Sequence, residues 1–358
     1  MADNKKSNKG LDIPQTKGTF QLQGITTGTL KDSFYKETLT KTQKPWRMIN
    51  FGIQTDKETS IYINLNGGEK DEVYFSKTTT VDNKKSTEIE KVAWRDRFKF
   101  NKEGYKLIGV NVGVKKKLDD KTQKTVNDKK VLSEYDACKE IGDNLKDDQS
   151  LFVKGHVEYS HFDSNGNTKR SVKFIPSQVS LCKDVDFEAE KFEPTALFTQ
   201  TFIFNGIEQD QEDKNRFKVA AKIVGYNSIE DAEFIILNKD LALQFKKNMK
   251  PYWSITVNGT INMSKDVEEV TTTDCWGEAN KMNKNNAPMI RELIITGADP
   301  GSIDKITYSE AIIDAAVAKI SANKKAETDF GGNVSDNWGS TGSVSTGTGT
   351  SDNDDAWD

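Results

Sequence analysis

Residues 91–100 read KVAWRDRFKF. On a strand, alternation places Arg95, Arg97 and Lys99 on one face and Trp94, Asp96, Phe98 and Phe100 on the other. Cations neutralise phosphates, and flat ring faces stack on planar bases. Other residues of these types stand out of phase with apolar neighbours: Tyr62 beside Ile61 and Ile63, Tyr74 beside Val73 and Phe75, and Phe152, Lys154 and His156 among Leu151, Val153 and Val157. Arg170 and Lys173 fall on the next strand candidate. The loop 30–45 adds Phe34, Tyr35 and four lysines, and Arg47 opens the segment after it. The chemistry on offer is non-covalent, and its natural ligand is a nucleic-acid strand with unpaired bases.

Bond-making chemistry has no such footing. His156 and His161 are five residues apart on a strand candidate, so they face opposite ways and cannot share a metal. Cys138, Cys182 and Cys275 are far apart with no CxxC pair, which fits reduced thiols. No phosphate-binding glycine loop and no nucleophile elbow occurs. Acid pairs such as Asp119-Asp120 sit in polar stretches and read as solvated turns. No enzymatic activity, metal or cofactor is expected.

The 51 basic and 55 acidic residues are unevenly spread. Residues 77–130 hold 16 basic and 8 acidic side chains, whereas 194–305 hold 13 basic and 16 acidic. The main binding surface is therefore expected in the first half of the chain, since a net acidic surface is a poor partner for phosphates. From Glu327 onward there are seven acids and no base, ending in SDNDDAWD. Asp352, Asp354, Asp355, Trp357 and Asp358 read as a peptide for a basic, apolar pocket on another protein. Residues 331–358 are rich in Gly, Ser, Thr and Asn and cannot bury a core. No apolar run approaches the roughly 20 residues that span a bilayer, and MADNKKSNKG lacks the apolar stretch of a signal peptide. No membrane role and a cytoplasmic location are expected.

The elements that would position these residues follow from periodicity. Strand patterns occupy residues 19–29, 46–55, 60–65, 91–100 and 105–114, and a helical period covers 131–145. Residues 150–162 and 168–181 flank DSNGN, a hairpin turn signal. The plan then repeats, with strands at 201–208, 216–225 and 232–238, a helix at 239–248, and strands at 252–263 and 290–296. Three strands, a helix and two strands make an oligonucleotide/oligosaccharide-binding (OB) barrel, in which glycines such as Gly24, Gly155 and Gly259 allow sharp bends. The expected fold is all-β (mainly β): two tandem OB-like barrels, each with a helix between strands 3 and 4, a C-terminal helix at 309–320 and a disordered tail. The expected divisions are a flexible basic arm (1–17), a first OB-like domain (18–185) with a basic insertion (66–130), a linker (186–196), a second OB-like domain (197–325) and a flexible acidic tail (326–358).

Barrels over 19–296 followed by a glycine-rich linker and SDNDDAWD resemble phage-type single-stranded-DNA-binding proteins. The resemblance implies a protein that coats exposed strands in replication, recombination or repair, works in the host cytoplasm, and recruits replication or recombination proteins through 352–358. The alternative is a structural or assembly protein of a virion or scaffold, built from β barrels and without affinity for nucleic acid.

Overall fold

Leu22, Ile53 and Ile63 are wholly buried on three neighbouring strands whose alternate residues face outward. This period of two is what makes the first half of the chain a barrel wall. A computed structural model describes residues 10–81, 84–120, 123–164, 167–265 and 289–329. The C-terminal peptide 352–358 and Cys275 lie outside the described residues.

The first half runs β1 (Gly18–Thr27), β2 (Tyr35–Leu39), β3 (Pro45–Gln54) and β4 (Ser60–Gly68). An insertion follows, with β5 (Glu72–Val81), β6 (Lys84–Ala93), β7 (Lys106–Leu107), β8 (Val110–Gly113), β9 (Lys116–Leu118), β10 (Thr125–Asn127) and β11 (Lys130–Leu132). Helix α1 (Glu134–Asn144) and the hairpin β12 (Ser150–Ser164) and β13 (Asn167–Leu181) complete it. The second half is shorter: β14 (Thr195–Gln209), β15 (Phe217–Val224), β16 (Ile229–Ile236), α2 (Lys239–Asn248), β17 (Ser254–Lys265), β18 (Met289–Asp304) and α3 (Glu310–Asp329).

Strand pairing closes each half into a five-stranded ring. In the first, β1 pairs with β3 and β12, β3 with β4, β12 with β13, and β13 returns parallel to β4 at Phe174 and Ile63. In the second, β14 pairs with β15 and β17, β15 with β16, β17 with β18, and β18 returns parallel to β16 at Ile294 and Ile235. Both rings have the OB order, with the helix between the third and fourth strands. The helices even start alike: the Ser133 hydroxyl accepts from the Asp136 amide at 3.2 Å and the Asn238 side chain from the Leu241 amide at 3.1 Å.

Gly155 and Gly259 mark matching bends in the fourth strand of each ring. A Cβ at Gly155 would lie 1.9 Å from the Ile175 carbonyl oxygen, and one at Gly259 1.9 Å from that of Ile294. Each coincides with a register shift in the ladder. Only glycine allows the neighbouring backbone so close.

The rings share a wall. Residues Gly18–Gln23 of β1 pair with Thr195–Gln200 of β14, and one apolar core runs from Phe20 through Phe198 and Phe234 to Ile295. The β12–β13 hairpin leans across the second ring. His161 Nδ1 lies 2.5 Å from Glu230 Oε2, Tyr159 packs near Phe234, and Arg291 donates to the Val172 carbonyl with its guanidinium over the Phe174 ring.

Three expectations from sequence change here. Residues 10–17, expected in a loose arm, are tied down: the Leu11 amide donates to the Tyr226 carbonyl, the Thr16 amide to that of Val224, and Asp12 pairs with Lys319 of α3. Leu11 and Ile13 supply the reason, since they pack against Ile203, Val224 and Tyr308. The strand expected at 91–100 ends at Ala93, and Trp94–Asp96 form a 3₁₀ turn. The one expected at 105–114 is split into β7 and β8, where Gly109 approaches the Leu132 carbonyl.

Candidate nucleic-acid interface

Residues on β3 and β4 that alternate with the buried Ile49, Phe51, Ile53, Ile61, Ile63 and Leu65 form an outer strip. Cross-strand partners on it are Met48 with Asn66, Asn50 with Asn64, Gly52 with Tyr62, and Gln54 with Ser60. The Asn64 amide donates to the Asn50 side-chain carbonyl at 3.1 Å. Tyr62 is half-buried beside Gly52, where a Cβ would come within 3.6 Å of its ring. Lys31, from the loop after β1, stands 5.9 Å from the ring centroid. No carboxylate occurs on this strip, so a flat group laid on Tyr62 meets amides and a cation.

The loop itself closes onto the barrel, and this removes three expected contacts. Phe34 is only 7% exposed because β2 folds back on β3 and draws the ring into the core. The Tyr35 ring lies against Gly142 of α1, and its hydroxyl donates to Glu37 at 2.9 Å. Burial, reinforced by that hydrogen bond, pushes the phenol up to about 12. The Arg47 guanidinium sits 3.8 Å from the Tyr135 ring centroid and 3.1 Å from Glu37. These side chains hold α1 to the barrel.

The turn at Trp94 splits the cationic segment. Trp94 packs edge-on to Tyr135, with centroids 5.9 Å apart. Arg97 points inward and donates to both carboxylate oxygens of Asp136, at 2.8 and 3.0 Å. Its guanidinium also lies 4.0 Å from the Trp94 centroid. Trp94 and Arg97 are therefore structural, in contrast to the expectation of contact with ligand. Arg95 and Lys99 are largely exposed, at 88% and 81%, and both pair with Asp96, at 3.4 and 3.8 Å. Tyr74, at 42% exposure, stands on β5 with Lys91 5.7 Å from its ring.

The remaining candidates lie on the β12–β13 hairpin. Phe152, Lys154 and His156 face outward from β12, opposite Gln23, Gln21 and Thr19 of β1. Those in turn oppose Thr195, Leu197 and Thr199 of β14. The sequence points to the β12 residues but not to their neighbours, because β1 and β14 are far apart along the chain. Desolvation by the surrounding protein lowers the His156 pKa. Arg170 is 4.0 Å from Asp231 of the second ring, and Lys173 stands opposite Glu158.

The corresponding strip of the second ring is different. Lys222 pairs with Asp231 at 2.8 Å, Ala220 opposes Glu233, and no ring projects between them. Among the described residues no cluster of three or more His, Cys, Asp or Glu converges as a metal site, and no helix is long and apolar enough to cross a membrane.

A family profile described as YorF matches residues 81–333. No curated protein matches the chain in sequence. Two solved structures of the single-stranded DNA binding protein from Thermus aquaticus, wild type and a deletion mutant, superpose with a TM-score of 0.38. They are 9% and 10% identical, and the match covers 80% of this chain and 93% and 94% of theirs. A likeness this remote fixes no residue correspondence.

Proposed function

The chain belongs to the YorF family, and we propose that it binds single-stranded DNA, tolerant of sequence, along the first barrel. The observation that carries this reading is Tyr62 beside the Cβ-free Gly52, with Lys31 5.9 Å from its ring and no carboxylate on the strip. A base stacked on Tyr62 would leave its phosphates near Lys31, and the Asn50 and Asn64 amides would meet base edges without demanding one sequence. This face, with the loop after the first strand, is the one on which OB barrels hold oligonucleotides. Arg95, Lys99 and Tyr74 would extend the path.

Residues 18–185 act in this reading as the binding unit and 197–325 as an accessory unit across the 186–196 joint. The ion-paired strip of the second barrel, Lys222 with Asp231, favours that division. The protein would serve replication, recombination or repair, and the acidic peptide with Asp352, Asp354, Asp355, Trp357 and Asp358 would recruit partner proteins. The support for that role is its four acids around one Trp, at the end of a segment, 327–358, with seven acids and no base.

Fluorescence anisotropy with labelled oligo-dT at two salt concentrations tests the reading. Binding should weaken with a log–log slope of about −0.7 per phosphate neutralised. Removal of residues 351–358 should tighten binding at low salt, because the peptide competes with DNA for the same cations. No binding at low salt overturns the proposal; salt-insensitive self-association in its place would favour an assembly role.

A further inference from the structure

Two lysines converge on one ring of the second barrel. Lys250 Nζ lies 5.7 Å and Lys305 Nζ 4.7 Å from the centroid of the Trp253 ring, and both lysines are exposed. The ladder brings them together, because Ser254 at the start of β17 pairs with Asp304 at the end of β18, and Trp253 and Lys305 are the next residues beyond. Lys250 comes from the turn after α2, where its carbonyl accepts from the Trp253 amide at 3.2 Å.

The ring is a fixed support. The Trp253 carbonyl accepts from the Phe204 amide at 2.8 Å, and the indole packs against the barrel core. Tyr252 just before it has a left-handed backbone, φ 68°, which a bulky residue rarely adopts. With that turn Tyr252 reaches α3, where its hydroxyl donates to Glu310 at 3.3 Å, while Trp253 meets the lysines.

Two ammonium groups beside one ring repel each other, and the nearby acids do not relieve them. Asp304 accepts from the Ile306 and Thr307 amides at 2.8 and 3.0 Å and from the Thr307 hydroxyl, and Glu310 is taken by Tyr252. Among the described residues neither lysine is ion-paired. Tyr105 is the contrast: Lys77 and Lys102 stand 5.9 and 4.6 Å from its ring, but Glu90 pairs with Lys102. The last turn of α2 adds the exposed Lys246 and Lys247, so residues 246–250 hold three lysines and no acid within a net acidic half of the chain. With its cations over the indole, the site offers charge and no stacking face, and an ammonium is a point charge suited to phosphate.

We infer that Lys250 and Lys305 hold phosphates of a DNA single strand that also occupies the first barrel, which gives the second barrel a contact away from its β15–β16 strip. The inference rests on the single-strand reading for the identity of the strand. The full chain should be titrated with labelled dT10 and dT40 over a range of salt, with at most one protein bound per strand. An OB barrel occupies roughly 4–16 nucleotides, so dT10 serves the first barrel alone and dT40 runs beyond it. The log–log salt slope should be steeper for dT40 by about 1.4, the share of two phosphates. Lys250→Gln with Lys305→Gln should remove that difference and leave dT10 binding and the unfolding temperature unchanged. Lys250→Arg with Lys305→Arg, which keeps both charges, should retain it. Equal slopes in the wild type, a Gln pair that keeps the difference or weakens dT10 as well, or an Arg pair that loses it, overturns the inference and leaves single-strand binding standing. Binding of dT40 alone, lost in the Gln pair, would instead overturn the assignment to the first barrel, and binding of neither DNA overturns both.

Discussion

Arg97 closes on Asp136 across 39 residues of sequence with two hydrogen bonds, at 2.8 and 3.0 Å, whereas two residues earlier the exposed Arg95 reaches its neighbour Asp96 at 3.4 Å. The same short segment thus supplies one cation to the fold and one to the surface, and the two should fail in different ways when removed. Arg97→Ala leaves Asp136 largely buried beside no cation and should cost about 3 kcal/mol. Arg95→Ala should leave stability within about 0.5 kcal/mol and weaken oligo-dT binding at low salt. Urea unfolding and anisotropy on both variants check this; equal loss of stability would place Arg95 in the fold as well.

Tyr62→Ala should reduce oligo-dT affinity by roughly tenfold or more, since a base stacked on a ring is worth about 1–3 kcal/mol. Tyr62→Phe should bind like the wild type. Phe34→Ala is the contrasting control, because loss of a buried ring costs about 3–5 kcal/mol of stability. Titration and thermal unfolding of the three variants separate a stacking ring from a packing ring.

Gly155→Ala and Gly259→Ala should each destabilise by about 1–3 kcal/mol, the usual cost of overpacking. Neither carbonyl neighbour can move without breaking the strand ladder. Circular dichroism melts would show it, and a melting point within one or two degrees of the wild type would refute the close approach.

The Asp210 carboxyl is held down to about 2, chiefly by its hydrogen bond from Lys218 and then by the Glu212 amide. A folded-state pKa below the unfolded one contributes stability at neutral pH that is lost as pH falls from about 4 toward 2. Asp210→Asn should flatten stability over that window and have little dependence on it above. Urea midpoints measured from pH 2 to 7 decide the point.

Much of the fold was legible because period and order repeat. Leu151, Val153 and Val157 announce an inward face, Asn165-Gly166 announces a hairpin, and the later helix returns at the same place in the plan. The site was only partly legible. Tyr62 could be read as outward because strand alternation is local. Trp94 and Arg97 could not, because the partners that turn them inward, Tyr135 and Asp136, belong to a helix some 40 residues away. Phe34 reads as a loop aromatic until β2 is seen to fold back on β3. Nor could Gln21 and Leu197 be joined, since their contact depends on two strands separated by the whole first barrel.

The pairing of Gly18–Gln23 with Thr195–Gln200 makes the two rings one sheet. A protease or an engineer who divides the chain at 186–196 therefore does not release two finished modules. Each fragment would carry a raw edge six residues long, with the amides and carbonyls of alternate residues unmet and Phe20 or Phe198 newly bared beside them, and such edges recruit strands from other molecules. The halves are better regarded as co-obligate: they should be inherited, expressed and lost together.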